Sequence, residues 1–220
     1  MTKHTMYPRV TILPQGSHLL SLMTILRDAS TKSDRFAQTT EKVADKLISA
    51  ALDLLPAQST QVVCPTDVPF DGLREVVPIC GVSILRAGAS LENALRRAYT
   101  GPLSFGKILI QRDETTSLPT LYYSKFPPQI AIQKVLLLEP MLATGGSACA
   151  AINVLKEQGV PEENIIFVNI LAAQRGIETV MAAYPSLNIV TAAVDRDLTP
   201  QNIISPGLGD FGDRFYGTDC

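Results

Sequence analysis

The sequence is poor in the residues that hold transition metals or act as acid–base catalysts. It has two histidines, His4 and His18, and four cysteines that lie far apart without a CxxC pair. The cysteines are Cys64, Cys80, Cys149 and Cys220. We therefore expect neither a zinc site nor histidine-based catalysis, and the scattered cysteines indicate a reducing, cytoplasmic setting.

Charge and long apolar runs are also scarce. Charged residues make up 18% of the chain and the net charge is −2, which gives no electrostatic reason to expect a nucleic acid or an anionic membrane as a partner. The apolar patch at residues 19–26 is short and interrupted by polar residues, so it predicts neither a signal peptide nor a transmembrane helix.

The rest of the composition is that of an ordinary globular protein. The chain has 220 residues, of which 46% are hydrophobic, and this is enough for one well-buried core. We expect a single domain over residues 1–220, in which residues 1–18, with Pro8, Pro14 and Gly16, form an irregular N-terminal arm.

One stretch in the middle of the chain combines a strand, a glycine loop and a helix. Residues 135–138 (VLLL) are typical of a strand buried on both faces, and Glu139 and a small-residue loop at 143–147 (ATGGS) follow. After the loop, apolar residues recur at helical spacing as far as Gly159. Such a turn presents backbone N–H groups and the positive end of a helix dipole to a phosphate.

A plain strand-to-helix turn would contain the same two glycines. Glu139 favours a ligand site, because a carboxylate at the strand end can accept hydrogen bonds from the hydroxyls of a sugar phosphate. The Walker phosphate loop does not fit, because no lysine follows the glycines.

The motif EPMLATGGS resembles the phosphoribosyl-diphosphate motif of the type I phosphoribosyltransferases, in the version typical of the uracil phosphoribosyltransferases. The family usually has aspartate at the first position, where this chain has glutamate. The resemblance implies that the whole motif binds phosphoribosyl diphosphate, through Glu139, Pro140, Met141, Leu142, Ala143, Thr144, Gly145, Gly146 and Ser147.

Two further predicted strands end in arginines. Residues 79–85 and 107–111 are apolar enough to form buried strands, and Arg86 and Arg112 follow them. Taken singly, each arginine could be a surface residue or the partner of a nearby acid. Together they indicate an anion site, because ligands of open α/β sheets bind outside the carboxyl ends of the strands. The segments LRAG and ILIQRDE resemble the diphosphate-contacting segments of the family, which implies that Arg86 and Arg112 bind the diphosphate and that Arg112 is catalytic.

Other segments before the central motif are less distinctive. Residues 36–55 predict an amphipathic helix that ends at Pro56, and residues 56–78 predict mainly loop. The length and loose alternation of residues 117–126 suggest a projecting flap hairpin, although a surface loop would have the same pattern.

The remaining elements complete an α/β pattern. Strands are predicted at residues 164–171 and 189–194, with a helix at 176–184 between them. We therefore predict an α/β fold with a doubly wound, mainly parallel sheet of about five strands and flanking helices. The C-terminal residues after this sheet form a base-binding loop region.

That C-terminal region is rich in glycine. Residues 207–212 (GLGDFG) match GxGxxG, but only eight residues follow, which leaves no room for the helix and second strand of a dinucleotide-binding unit. PGLGDFGDR closely resembles the uracil-binding loop of the family, although the family usually has tyrosine in place of Ile203. The resemblance implies that Ile204, Gly209, Asp210 and Phe211 bind uracil, and that Asp210 also contacts the ribosyl diphosphate in a catalytic role.

Together the motifs imply uracil phosphoribosyltransferase activity, which forms UMP and diphosphate from uracil and 5-phosphoribosyl diphosphate in pyrimidine salvage. The resemblance implies Mg²⁺ bound with the diphosphate, a homodimer or larger homo-oligomer, and GTP as an effector; no side chain is assigned as a direct metal ligand. Two alternatives stay open. Glu139 and Ile203 favour a non-catalytic nucleotide-binding relative, and Ile203 also favours a phosphoribosyltransferase for another base.

Overall fold

A mostly parallel β-sheet of eight strands forms the centre of the molecule. The computed structural model describes residues 7–112 and 119–218. Within these ranges the strands are β1 (Val10–Ile12), β2 (Gln58–Val63), β3 (Pro69–Arg74), β4 (Ile79–Leu85), β5 (Leu103–Arg112), β6 (Pro119–Lys125), β7 (Lys134–Leu138), β8 (Met141–Leu142), β9 (Ile165–Ala173), β10 (Asn188–Asp195), β11 (Asp197–Leu198) and β12 (Ile204–Ser205). The α-helices are α1 (Ser17–Arg27), α2 (Ser33–Leu52), α3 (Glu92–Ala98), α4 (Gly146–Glu157), α5 (Gln174–Ala183) and α6 (Phe211–Tyr216).

The order of the strands determines where a ligand can bind. The order is β1-β10-β9-β7-β4-β5-β6, with β8 paired to β9, and neighbouring strands are parallel except β5 and β6. After β4 the chain adds β5 on one side, whereas β7, β9 and β10 extend the sheet on the other. The winding direction therefore reverses between β4 and β7, and ligands of such sheets bind outside the carboxyl ends of the strands at this reversal.

Helices cover both faces of the sheet because its central strands carry apolar side chains on both. Leu136 and Leu138 of β7 pack in one cluster with α1, α2 and α3, whereas Val135 and Leu137 pack in a second cluster with α4 and α5. All four side chains are fully buried. This arrangement explains the uninterrupted apolar run and confirms the predicted doubly wound α/β fold.

All five predicted strands are present, but the sheet has eight. β1 lies inside the arm that was expected to be irregular, and it pairs with β10 so that Val10 lies opposite Ile189. β6 and β8 are the other additions. Two- and three-residue strands contain too few residues for an alternating pattern to stand out, and an edge strand needs only one apolar face.

Two segments between the predicted elements have defined pairing. The prediction of loop for residues 56–78 is wrong in part, because β2 and β3 form an antiparallel hairpin with Gln58 opposite Arg74. The predicted flap begins as the antiparallel pair β5–β6. The flap was predicted over residues 117–126, of which residues 117 and 118 lie outside the described residues. Among the helices of the described ranges, none combines the length and the apolar character needed to cross a membrane.

Candidate functional site

A pocket of about 270 Å³ lies where the carboxyl ends of β4 and β7 meet. Its walls come from the loop after β4, the loop between β7 and α4, and the start of α4. The pocket is lined by Ile84, Leu85, Arg86, Ala87, Ile110, Glu139, Met141, Leu142, Ala143, Thr144, Gly145, Ser147 and Ala148. The structure thus brings the arginine after β4 together with the carboxyl and the glycine loop that follow β7.

The glycine loop ends in a turn that suits only glycine. Gly145 is the N-cap of α4 and has a φ of +90°. A Cβ at this position would lie 3.0 Å from the Cβ of Thr179 and 3.2 Å from the carbonyl oxygen of Gly176. The first turn of α4 carries no acidic residue. Its N–H groups and the helix dipole therefore give this wall of the pocket a positive potential.

The loops after β4 and β7 touch each other at Gly88. A Cβ on Gly88 would lie 2.1 Å from the carbonyl oxygen of Leu138, so the backbone of the arginine loop rests directly on the end of β7. Leu138 is followed immediately by Glu139. The missing side chain at position 88 is therefore what allows Arg86 and Glu139 to line one pocket.

Arg86 is partly exposed and is held by the C-terminal helix α6. Its Nη2 donates to Oδ1 of Asp213 at 3.0 Å, and its Nη1 donates to Oγ1 of Thr218 at 3.5 Å. The Tyr216 hydroxyl donates to the Arg86 carbonyl, and the guanidinium lies 5.7 Å from the centre of the Tyr216 ring. Hydrogen bonds from Thr218 and Arg86 lower the pKa of Asp213. Because the Arg86 side chain is exposed, it can turn from the Asp213 carboxylate to an anionic ligand in the pocket.

The environment of Glu139 favours its protonated form. Removal from water raises the pKa of Glu139 to about 8, and the negative charge of Asp210 acts in the same direction, whereas a hydrogen bond from the Met141 N–H opposes both. Because the charge of Asp210 raises the pKa of Glu139, the two carboxyls lie within electrostatic reach of each other. In the free protein at neutral pH, Glu139 is therefore mainly neutral.

The pH dependence of stability should report this carboxyl. Between its ordinary pKa of 4.5 and its folded-state pKa of about 8, Glu139 keeps a proton in the folded protein that it loses in the unfolded chain. The free energy of unfolding should therefore fall as the pH rises through this window, by about 2–4 kcal/mol from this group. Glu139→Gln should remove that part of the fall. Urea unfolding of both proteins at a series of pH values measures it, and parallel curves would contradict the assignment.

The C-terminal region brings Asp210 within electrostatic reach of Glu139. β11 and β12 form a short antiparallel pair, with Leu198 opposite Ile204, and a glycine-rich turn follows. Asp210 then caps α6, because its Oδ1 accepts the N–H of Asp213 at 3.0 Å. Gly209 and Asp210 are both exposed. Their backbone and the free carboxylate oxygen of Asp210 are therefore accessible to a ligand.

The other two predicted base-binding residues have buried side chains. Ile204 is 3% exposed and Phe211 is 2% exposed. The Phe211 ring packs edge-on against Phe36 and stacks on Phe215. These side chains belong to the core, so only the backbone groups of Ile204 and Phe211 are left to contact a base.

Pro140, Gly146 and Asp210 were predicted to bind phosphoribosyl diphosphate but are not among the described residues that line the pocket. Arg112 ends β5, but its side chain lies outside the described residues. Pro140 is buried, and its carbonyl accepts the N–H groups of Ile170 and Leu171, which fixes the loop to β9. Gly146 is the first residue of α4.

The sequence analysis missed the residues that hold Arg86 from α6. Asp213, Tyr216 and Thr218 lie more than a hundred residues from Arg86 in the chain. The only signal for them was the density of polar and aromatic residues directly after the predicted base loop.

Comparison with known proteins identifies close relatives of the whole chain. The family model described as uracil phosphoribosyltransferase matches residues 13–218. The uracil phosphoribosyltransferase of Lachancea kluyveri is 46% identical over 210 residues, which cover 96% of this chain and 97% of that protein. The uracil phosphoribosyltransferase of Dictyostelium discoideum is 44% identical over 214 residues, which cover 97% of this chain and 99% of that protein.

A solved structure has the same fold. The AQ2163 protein from Aquifex aeolicus matches with a TM-score of 0.83 and 26% sequence identity, and the match covers 96% of this chain and 99% of that one. The similarity therefore extends over nearly the whole fold.

Proposed function

This chain belongs to the uracil phosphoribosyltransferase family, and from that premise we propose how its residues carry out the reaction. It is an enzyme, a glycosyltransferase of the pentosyltransferase type, that converts uracil and 5-phosphoribosyl diphosphate to UMP and diphosphate in pyrimidine salvage. We propose that residues 1–220 act as one phosphoribosyltransferase domain, since strands from residue 10 to residue 195 share the sheet that forms the site.

The 5′-phosphate binds at the start of α4. The single observation that carries this assignment is the pocket at the reversal point of the sheet, which joins the α4 N-terminus to Arg86 and Glu139. The loop residues 143–147 offer backbone N–H groups and two hydroxyls, and a helix N-terminus stabilises a phosphate through its dipole. The ribose then extends toward Glu139, whose carboxyl meets the ribose hydroxyls.

The diphosphate binds between Arg86 and Arg112. The two residues end neighbouring parallel strands, in which Leu85 pairs with Leu109. Arg86 exchanges its contact with Asp213 for the substrate, because a diphosphate offers a guanidinium more charge and more oxygen acceptors than one carboxylate does. Arg112, which we assign as catalytic, stabilises the charge that develops on the leaving diphosphate.

The carboxyls of the site fit a Mg²⁺ ion that is bound mainly by the substrate. Within the described ranges no group of three or more His, Cys, Asp or Glu side chains could hold a metal. Mg²⁺ commonly uses one or two carboxylates, several waters and substrate phosphates, and Glu139 and Asp210 are the carboxyls near the pocket. A bound Mg²⁺ would neutralise charge on the departing diphosphate.

Uracil binds along the exposed backbone at Gly209 and Asp210. Its imide edge presents an acceptor, a donor and a second acceptor, which backbone groups can match without a side chain. Ile204 and Phe211 contribute through their backbones, because their side chains are buried. We assign Asp210 as the second catalytic residue, and its electrostatic effect on Glu139, which lines the pocket, supports this assignment.

These residues act by position and charge. The bond from the ribose to the diphosphate breaks as the ring nitrogen of uracil bonds to the same carbon, and the proton of that nitrogen ends on the released diphosphate. The arginines take up the negative charge that leaves, and the carboxylates stabilise the positive charge that develops on the ribose. Glu139 contributes most once it has lost its proton, which the nearby positive charges of the bound state favour.

Product formation tests this function directly. The purified chain should form UMP from uracil and phosphoribosyl diphosphate when Mg²⁺ is present, and the same reaction with cytosine, hypoxanthine or adenine should yield far less nucleotide. The same assay tests the two alternatives that Glu139 and Ile203 raised, a non-catalytic nucleotide-binding relative and a phosphoribosyltransferase for another base. A protein that binds both substrates but forms no UMP at any Mg²⁺ concentration would refute the proposal, as would a clear preference for another base.

We propose that the active form is a homodimer that uses the β2–β3 hairpin. Val63, Phe70 and Leu73 on this hairpin are 73%, 57% and 72% exposed. A two-stranded sheet with so many exposed apolar side chains is marginally stable alone, and such patches typically mark an interface.

GTP as an effector stays a prediction of the family resemblance, and we assign no residue to it. The unpaired cysteines Cys64, Cys80 and Cys149 support a cytoplasmic location.

A charge on the hairpin should separate the subunits. Leu73→Asp is expected to raise the dimer dissociation constant by about 30-fold or more, because burying an unpaired carboxylate in an apolar contact costs about 2 kcal/mol or more. Leu20→Asp, at an apolar residue of α1 that is 49% exposed, is the matched control. Sedimentation equilibrium measures both. A monomeric wild type would refute the dimer, and an unchanged Leu73→Asp dimer would exclude the hairpin.

A further inference from the structure

The turn before the exposed base-binding residues Gly209 and Asp210 is tied to the end of α1 by a partly buried ion pair. Arg27, the last residue of α1, donates from Nη1 and Nη2 to the two carboxylate oxygens of Asp195, both at 2.7 Å. The side chain of Asp195 is 7% exposed and that of Arg27 is 26% exposed. The two parallel bonds fix the orientation of both groups, which a single contact would not do.

The same ion pair holds Gly207 from both sides of its peptide backbone. Nη1 of Arg27 donates to the carbonyl of Gly207 at 2.9 Å, and the N–H of Gly207 donates to Oδ2 of Asp195 at 2.8 Å. Gly207 has a φ of +66°, and a Cβ there would lie 2.0 Å from the carbonyl oxygen of Ile204. The residue with the greatest backbone freedom in the turn is therefore the one that the ion pair fixes.

A second arginine holds the next residue to the same helix end. Nη1 of Arg214 donates to the carbonyls of Leu208 and Leu26, and its Nη2 donates to the carbonyl of Asp28. Its guanidinium also stacks 4.5 Å above the ring of Phe36. Gly207 and Leu208 are thus both anchored to the C-terminal end of α1, directly before the exposed Gly209 and Asp210.

We propose that Arg27 and Asp195 are positioning residues for uracil: they hold the turn so that the backbone at Gly209 and Asp210 matches the imide edge of the base. The proposal rests on the proposed function and names residues that touch the base loop without touching the substrates. A loop that recognises a base by its backbone must be fixed before binding, because ordering a glycine-rich segment during binding costs affinity. In the described part of the chain the hydrogen bonds of Arg27 go to Asp195 and Gly207 and not to residues 143–147. Phosphoribosyl diphosphate meets the held turn only at Asp210, so its binding depends much less on the ion pair than uracil binding does.

The experiment compares the Michaelis constants of the two substrates. Arg27→Lys keeps the positive charge but cannot make the paired bonds to Asp195 together with the bond to Gly207. We expect the KM for uracil to rise about tenfold or more, while the KM for phosphoribosyl diphosphate stays within about twofold, a difference of at least about fivefold, or about 1 kcal/mol, between the two substrates. A purely structural defect would lower the active fraction, and hence kcat, without separating the two constants.

Two further variants make the test decisive. Asp195→Asn leaves an acceptor for the Gly207 N–H but removes the charge that holds Arg27, and it should give the same split; it decides the test if Arg27→Lys does not fold. Arg97→Lys is the matched control, because Arg97 forms an exposed ion pair with Asp45 at 2.7 Å on the α2–α3 surface. It should leave both constants unchanged.

Each outcome has one meaning. A selective rise in the KM for uracil supports the positioning role. Unchanged constants, an equal rise in both, or a fall in kcat alone would overturn it. If the wild-type protein forms no UMP, the proposed function itself fails, and that result is seen before any variant is compared.

Discussion

Replacing Arg86 with alanine should lower kcat/KM for phosphoribosyl diphosphate by about 30- to 1,000-fold, or about 2–4 kcal/mol, the usual loss for one preorganised charged donor. The guanidinium lines the pocket beside the glycine loop. The affinity for UMP should change much less, because UMP carries no diphosphate for Arg86 to bind. Steady-state kinetics and UMP binding by calorimetry measure the two effects, and Arg112→Ala should show the same pattern.

The contact between Arg86 and α6 calls for a control. Asp213→Asn removes the carboxylate that Arg86 contacts at 3.0 Å but leaves the arginine itself in place. This exposed pair contributes little to stability, so the variant should lose less than about fivefold in kcat/KM, or about 1 kcal/mol. If Asp213→Asn loses as much as Arg86→Ala, or if Arg86→Ala weakens UMP as strongly as phosphoribosyl diphosphate, Arg86 is a structural residue.

The sequence predicted the centre of the fold because its strands are buried on both faces. β4, β7 and β9 consist almost entirely of buried residues, and a continuous apolar run leaves few alternatives. The β2–β3 hairpin was missed for the opposite reason. Its residues are almost all exposed, so its sequence lacks the alternation of a half-buried strand, and cross-strand pairing alone defines it.

The parts of the candidate site whose backbone geometry requires glycine could be predicted from the sequence. The positive φ of Gly145 and the contact at Gly88 both require the absence of a side chain, and both glycines lie in motifs that the sequence identified. The ionisation state of Glu139 was not predictable. The sequence suggested a charged acceptor for the ribose, but its pKa depends on the desolvation of the pocket and on Asp210, which lies 71 positions away.

Contacts between distant segments of the chain could also not be predicted from the sequence. Phe211 was predicted to bind uracil, and no pattern in the sequence indicated that its ring packs against Phe36 of α2. The sequence analysis assigned no role to Arg27, yet it binds both Asp195 and Gly207. In each case the partner lies more than 160 positions along the chain. No local pattern records such a pairing, because it arises only when the sheet brings α1, α2 and the C-terminal region together.

The glycine turn offers the second large effect. Gly145→Val should remove most of the affinity for phosphoribosyl diphosphate, with a loss of at least about 100-fold, or about 2.7 kcal/mol. At a φ of +90° a β-branched residue is strained, and its Cβ would press on Thr179 and the Gly176 carbonyl. The turn must therefore shift, which moves the N–H groups of α4 away from the phosphate. We also expect the free energy of unfolding to fall by about 1–3 kcal/mol.

Ligand-dependent unfolding separates the loss of binding from the loss of stability. At a phosphoribosyl diphosphate concentration 100 times the wild-type dissociation constant, the ligand should stabilise the wild type by about 2.7 kcal/mol, but Gly145→Val by less than about 0.5 kcal/mol. Gly146→Ala is the matched control, since a Cβ there meets no atom closer than 3.7 Å and alanine suits the start of a helix. That variant should fold as stably as the wild type. If Gly145→Val kept the full stabilisation by ligand, the phosphate could not lie against this turn, because any bulk at position 145 displaces the N–H groups that would bind it.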